Sequence, residues 1–372
     1  MNEFLKKPFV YATIFAVTLA SLNTYALLRT YLIPSVEQAV SESSEESSLE
    51  WLPNSGETTE NTDSSPDTHT SDGTTDSGSK RRRPGEKGSG RKSSSDSSSG
   101  DSSSGSKSSN DKSSSSQSSD NAAASKTTLT GNSYSDGKIS VQINTVRAYD
   151  TTVYIADIQV SSAAYLKTAL AQSSFGRNVT EKTSSIASSH NAILAINGDY
   201  YGANSRGYVI KNGVLYRDTA RKDTDNDDLV IYRDGSFGII NESSVTAQEL
   251  LDSGVYNLFA FGPTLVQNGK VTVSQNEEVG RAMANNPRTA IGIIDDLHYV
   301  MVVSDGRTNE STGLSLYELA QLLQQYGCKT AYNLDGGGSS TMVFNGQVVN
   351  NPTTNGNKIS ERAVSDIVYI GY

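Results

Sequence analysis

The stretch from Ser41 to Thr128 sets the limit on what this chain can fold into. Of its 88 residues 31 are serine, and Trp51 is its single aromatic side chain. So little apolar surface cannot offset the conformational entropy of ordering the segment. It therefore reads as a disordered linker, a random coil with an end-to-end distance of roughly 50 Å. The 372 residues then divide into an N-terminal piece (1–40), the linker (41–128) and one sizeable folded domain (129–372).

The folded part carries more acidic than basic residues, in a chain of net charge −10. That argues against a nucleic-acid partner, which calls for a basic face to neutralise phosphates. The basic run Lys80, Arg81, Arg82, Arg83 falls in the linker and reads as a solvated charge patch. Cys328 is the one cysteine, and His69, His190 and His298 are the three histidines. An internal disulfide, a cysteine-rich zinc site and a histidine-based triad are thereby disfavoured. No metal and no cofactor is expected, so chemistry must come from carboxylates, arginines, hydroxyls and backbone amides.

Lys6 and Lys7 precede an uncharged run from Pro8 to Leu28, and Arg29 follows. Twenty-one such residues reach the length of a membrane-crossing helix. The run predicts a single-pass signal anchor with the C-terminal domain outside the cytoplasm. A signal peptide cleaved near Thr24-Tyr25-Ala26 is the alternative, and would leave the domain secreted.

Within the domain, Lys138–Val160 reads as two strands with a turn at Tyr149-Asp150. Ala163–Gln172 and Asn178–His190 have helical spacing, and Ala192–Ile196 is a short buried strand. Asn212-Gly213, Asp234-Gly235, Asn268-Gly269 and Asn345-Gly346 predict hairpin turns. Arg288–Ile294 and His298–Ser304 pair as strands, and Thr330–Leu334 and Ile367–Ile370 are further strands. Leu314–Tyr326 is the clearest helix, with Ser315 and Glu318 as a capping box and Gly327 as its stop. The fold class is α+β: a β-rich mixed-sheet core with a few packed helices.

Two motifs place a carboxylate at the end of a buried strand. In Asn333-Leu334-Asp335-Gly336-Gly337-Gly338-Ser339-Ser340, three glycines mark unusual backbone or close ligand approach. Their amides could form an anion nest, with two hydroxyls beside it. In Asn197-Gly198-Asp199-Tyr200-Tyr201-Gly202, the tyrosines suit the apolar face of a sugar. Arg288, in Asn286-Pro287-Arg288-Thr289-Ala290, and Arg307, in Asp305-Gly306-Arg307, offer bidentate contacts to a phosphate. A structural salt bridge is the alternative for each, and suits the weaker pair Glu361-Arg362 equally well. Asp223–Asp228 lacks the glycine and distal glutamate of a calcium loop and reads as a solvated acidic loop.

Taken in order, these motifs, with Phe261-Gly262-Pro263, Leu265-Val266 and Asn268-Gly269, resemble the phosphodiester glycosidase family over about Ala192 to Tyr372. That family includes uncovering-enzyme-like domains and bacterial exopolysaccharide-related members. The resemblance implies hydrolysis of the glycosidic bond of α-linked sugar-1-phosphodiesters, in cell-wall or exopolysaccharide metabolism. Asp335 and Asp199 are then the catalytic carboxylates, with nucleophile and base left open between them. Arg288, Arg307 and the amides of Gly336, Gly337 and Gly338 would stabilise the departing phosphate. Asn197, Tyr200, Tyr201, Asp305, Asn333, Ser339, Ser340, Glu361 and Arg362 complete the expected substrate contacts. The alternatives are a non-catalytic carbohydrate-binding or polymer-assembly protein on the same fold, and a metal-dependent phosphodiesterase, which the scarce histidines disfavour.

Overall fold

The computed structural model describes residues 8–40, 127–222, 227–276, 284–354 and 358–372. The linker expected at 41–128, with the Lys80–Arg83 run, lies outside them except for its last two residues, and Thr128 already opens a strand.

Two antiparallel sheets make the body of the domain. The larger has nine strands, in the spatial order Lys270–Val271, Thr264–Gln267, Thr330–Leu334, Thr289–Asp295, His298–Ser304, Thr151–Val160, Ile139–Ala148, Ser133–Ser135 and Thr128–Leu129. The smaller has five, in the order Gln347–Val348, Met342–Phe344, Leu194–Asn197, Asp366–Ile370 and Leu166–Leu170. Side chains alternate across a strand, so the central strands of the large sheet serve two cores. Ile291, Met301, Val303, Tyr332 and Leu334 pack against Leu194, Ile196, Met342 and Val368 of the small sheet. Ala290, Val300, Val302 and Ala331 point to the other face. There the helix Leu316–Gln325 covers them with Leu316, Leu319, Leu322 and Leu323.

Local sequence explains much of this. Ser315 and Glu318 form the expected reciprocal capping box. All four predicted hairpins form, and Asn212-Gly213, Asn268-Gly269 and Asn345-Gly346 each place both residues at positive φ. That is the geometry whose twist matches the flanking strands. The turn Tyr149-Asp150 does the same between the two longest strands.

Tertiary pairing overrides helical spacing in two places. Ala163–Gln172 is not a helix: Leu166–Leu170 is the edge strand of the small sheet, registered against Asp366–Ile370, with a 3-10 turn on either side. The helix expected over Asn178–His190 shortens to Thr183–Ser189. Asn178 sits at positive φ and Glu181 bridges Val364, which keeps the first residues extended.

The N-terminal reading also changes. A helix forms over Pro8–Tyr31, but among the described residues no helix is long and apolar enough to cross a membrane. The membrane span expected of Pro8–Leu28, and with it a membrane partner, finds no support among the described residues. The segment after the helix lies on the domain: Ser35 and Val36 pair with Arg177 and Gly176, and Val40 N–H donates to the Leu215 carbonyl at 2.8 Å.

Candidate active site

Strand ends from both sheets meet at one end of the sandwich. Thr289 pairs with Leu334 and with Val303, so Arg288, Asp305 and Asp335 all leave the large sheet at the same edge. The small sheet delivers Gly198 there: Asp335 N–H donates to the Gly198 carbonyl at 3.2 Å. Asn197 fastens the junction. Its Nδ2 donates to the Asp335 carbonyl at 2.6 Å, and its Oδ1 accepts from Thr289 Oγ1 at 2.8 Å and Thr341 N–H at 3.2 Å. Asn197 is fully buried, so it acts as a strut between sheets. Asn333 has a similar place: it is buried, and its Nδ2 donates to the Gly262 carbonyl at 2.7 Å.

Asp335 is the carboxylate nearest solvent, its side chain 11% exposed. Its Oδ2 accepts from Ser339 Oγ at 2.6 Å and from Arg362 Nη2 at 2.9 Å. Arg362 also donates to Ser339 Oγ, from Nε at 2.9 Å and Nη2 at 2.7 Å. Burial pushes the Asp335 carboxyl above its usual range, while Arg362 and the Ser339 hydroxyl pull it back; the Asp199 charge adds to the upward push. Glu361-Arg362 was the weakest of the sequence motifs, yet Arg362 is the cation on this carboxylate. Its partner Glu361 turns away, and its Oε2 accepts from Ser184 Oγ at 2.6 Å.

The arginines differ in what they face. Arg307, at positive φ, donates from Nε and Nη2 to Asn286 Oδ1 at 3.2 and 3.0 Å, and from Nη1 to the Thr354 carbonyl at 2.7 Å. A Cβ on Gly337 would come within 2.8 Å of Arg307 Nη2, so this glycine admits the guanidinium. Arg362 approaches the same turn from Gly336, whose carbonyl accepts from its Nη2 at 3.3 Å. Burial, and then the charge of Arg362, depress the Arg307 guanidinium below its usual range. Two cations thus bracket the glycine turn. Arg288 is buried, and its Nε and Nη2 donate to the carbonyls of Leu314 and Ala284 at 2.8 and 3.2 Å. Its guanidinium braces the chain crossing beside the site.

Of the amides expected to form a nest at Gly336 to Gly338, that of Gly337 is already engaged within the protein. The turn closes as a 3-10 helix over Gly337–Ser339. Gly337 N–H donates to the Pro287 carbonyl at 2.8 Å, and Ser339 and Ser340 N–H donate back to Gly336 and Gly337 at 3.3 and 3.2 Å. Ser340 is fully buried. Asp305, also buried, accepts from Asn351 N–H at 2.8 Å, Asn351 Nδ2 at 3.1 Å and Tyr154 Oη at 3.3 Å, which anchors the 351 loop. Tyr200 is 48% exposed at the rim, whereas Tyr201 is buried and stacks on Phe175.

Asp199 does not share the solvent-facing position of Asp335. It is buried, accepting from Tyr201 N–H at 3.1 Å and Ala260 N–H at 3.1 Å. Lys211 Nζ lies 3.4 Å from its Oδ2 and 2.8 Å from Asp366 Oδ2. Sequence reasoning missed Lys211 and Asp366. Lys211 precedes the Asn212-Gly213 turn and reads as an exposed hairpin lysine, and Asp366 opens an otherwise apolar strand, which was the available signal. Gly198 rests on Asp366, and a Cβ there would overlap its carboxylate. Gly198→Ala is therefore expected to destabilise the fold by about 1–3 kcal/mol and to lower the midpoint of thermal unfolding. An unchanged midpoint would mean that the contact yields freely.

The expected solvated loop at Asp223–Asp228 is revised at its end. Residues 223–226 lie outside the described set, but Asp228 is fully buried, pairs with Arg221, and is held well above the usual carboxylate range by burial.

Residues 190–371 match the model of the family described as phosphodiester glycosidase. The SPbeta prophage-derived uncharacterized protein YomE of Bacillus subtilis (strain 168) is 34% identical over 201 residues, covering 53% of this chain and 31% of that protein. The Homo sapiens N-acetylglucosamine-1-phosphodiester alpha-N-acetylglucosaminidase is 32% identical over 173 residues, covering 43% of this chain and 33% of that protein. The chain thus spans about a third of the length of the curated relatives it matches. Among solved structures, the catalytic domain of the zebrafish N-acetylglucosamine-1-phosphodiester alpha-N-acetylglucosaminidase, auto-inhibited by its pro-peptide, superposes with a TM-score of 0.50 at 21% identity. That match covers 63% of this chain and 83% of the other, and bears on the fold.

Proposed function

We propose, on the premise that residues 190–371 are a phosphodiester glycosidase family domain, that this chain hydrolyses α-linked sugar-1-phosphodiesters at the glycosidic bond. The observation that carries the reading is the glycine turn. The Asp335 carboxylate, more accessible than that of Asp199, sits there with two guanidinium groups, Arg307 and Arg362, about the same backbone.

That set suits a reaction with an anionic leaving group. Phosphate departs without strong acid help, so stabilising the anion matters most. Arg307 and Arg362 supply the charge. The Asp335 carboxylate supports positive charge developing at the anomeric carbon. Water adds to that carbon, the bond to the phosphate oxygen breaks, and the electron pair leaves with the phosphomonoester; the water proton goes to solvent. Ser339, held between Asp335 and Arg362, keeps the carboxylate in one rotamer, and the exposed Tyr200 offers a ring to the sugar face. Arg288, Asn197, Asn333, Asp305 and Tyr201 act as the frame.

The names of the mammalian relatives specify an N-acetylglucosamine-1-phosphodiester, which makes that sugar the first to try. Wall or exopolysaccharide sugar phosphates are the larger substrates we favour. The order of Lys6 and Lys7 before an apolar run is that of an export signal, and supports placing the domain outside the cytoplasm. The test is incubation of the full chain with nucleotide sugars and other sugar-1-phosphodiesters, assaying free reducing sugar and sugar phosphate separately. Free sugar is expected, with a nucleoside diphosphate from a nucleotide sugar and a phosphomonoester from a simple phosphodiester. Sugar 1-phosphate would move the cut to phosphorus and overturn the reading.

A further inference from the structure

Beneath the glycine turn lies a charged cluster that the reaction above does not use. Lys211 and Asp366 are 1% and 0% exposed and Asp199 is 2% exposed, with Lys211 Nζ between the two carboxylates and 3.8 Å from the centre of the Phe259 ring. Stability alone is a weak reason for such a cluster, since apolar side chains of similar volume commonly do as well. Its position suggests another reason. The Asp366 carboxylate lies against Gly198, the Gly198 N–H donates to the Asp366 carbonyl at 2.9 Å, and the Gly198 carbonyl accepts from Asp335 N–H. One glycine thus ties the backbone of the buried cluster to that of Asp335.

We infer that Asp366 and Lys211 are positioning residues for the Asp335 chemistry: a proton on Asp366 sets the net charge of the buried cluster, and that charge sets the basicity of Asp335 across Gly198. The inference rests on the hydrolase reading above. When Asp366 releases its proton, the net charge of the cluster becomes more negative by one. In a site with little water this charge is weakly screened. The added negative charge makes the Asp335 carboxylate more basic, its electron pair more readily shared, and it better supports a cationic transition state.

The groups facing Asp366 fix where the change falls. Burial raises its carboxyl to about 7, against the pull of Lys211 and with a further push from Asp199. Tyr201 also faces it, its phenol raised by burial and then by the charges of Asp366 and Asp199. Arg217, from the neighbouring hairpin, acts on Asp199 and Tyr201. Leu170, its register partner on the edge strand, brings no charge. The proton on Asp366 therefore leaves near neutral pH, with activity rising as it does so.

The experiment measures kcat/KM of the full chain from pH 5.5 to 8.5 on a turned-over sugar-1-phosphodiester, for the wild type and Asp366→Asn, with carboxyl carbon NMR titration of Asp335 in both. The wild type should show a rise in kcat/KM with a midpoint near neutrality, and a second inflection of the Asp335 resonance at the same midpoint. Asp366→Asn removes the titrating proton from the cluster, so both features should vanish and kcat/KM at pH 8 should fall about tenfold, with KM unchanged. A flat wild-type profile, or a folded Asp366→Asn that keeps the rise, overturns the inference. If Asp366→Asn does not fold, the wild-type Asp335 titration decides: a single inflection overturns it. An enzyme that turns over none of the phosphodiesters overturns the hydrolase reading instead, and the Asp335 titration still reports whether the two sites are coupled.

Discussion

Asp335→Asn is expected to lower kcat/KM by about 10³-fold while leaving the fold in place. Asparagine keeps an oxygen for the Ser339 hydroxyl, now 2.6 Å from Oδ2, so the turn retains its internal bond. What is lost is the charge at the anomeric carbon. The cation left behind is not stranded, because the Arg362 side chain is 41% exposed and its charge returns to water. The stability cost is then on the order of 1 kcal/mol, or a shift of about 3 °C in the unfolding midpoint. Measured together, the two numbers separate chemistry from structure. A tenfold loss or less would remove Asp335 from the reacting centre, and the glycine turn would be left as a binding element. A collapse in thermal stability would show instead that the Asp335–Arg362 pair holds the 336–340 turn to the 362 segment, whose backbone is already tied by Arg362 N–H to the Gly338 carbonyl at 3.1 Å.

Which residues could be read from the sequence follows from how far their partners lie along the chain. The glycine turn was legible because the constraint is local: Asp335 and Ser339 are four residues apart, and the three glycines between announce either a positive φ, as at Gly337, or a close approach, as at Gly336 and Gly338. The same holds for the Ser315–Glu318 cap and the Asn-Gly turns, where a few adjacent residues decide the geometry. The edge strand Leu166–Leu170 was not legible, because its partner lies about 200 residues away in Asp366–Ile370 and its own spacing suits a helix. Asp199 and Asp335 look equivalent in sequence, each an acid closing a buried strand. They differ only through Lys211, Asp366 and Ala260, which fold over Asp199 and leave Asp335 toward solvent. Arg288 and Arg307 likewise looked alike as strand-end arginines. The carbonyls of Leu314 and Ala284 take up the first, and the missing Cβ of Gly337 admits the second to the turn.

The largest stability effect is expected from Lys211→Met. Methionine fills the space over Phe259 but removes the cation, leaving two buried carboxylates, Asp199 and Asp366, with no positive charge between them. Breaking a buried ion cluster in this way costs about 3–5 kcal/mol, on the order of 10 °C in the unfolding midpoint for a domain of this size. The sign of the pH dependence distinguishes this from a simple packing defect. The Asp366 carboxyl lies at about 7 in the folded wild type, above the 3.8 of an unperturbed aspartate. The folded state therefore binds the Asp366 proton more tightly than the unfolded state does. That contribution is fully present below about pH 4 and is lost as pH rises through about 7. Removing Lys211 takes away the charge that holds Asp366 down, so its carboxyl moves further up and the proton becomes still more valuable to the folded state. The gap in unfolding midpoint between wild type and Lys211→Met should thus be small at pH 5 and widest at pH 8, as followed by circular dichroism. A gap that is equal at both pH values would assign Lys211 to volume rather than charge, because a cavity or a misfit does not titrate.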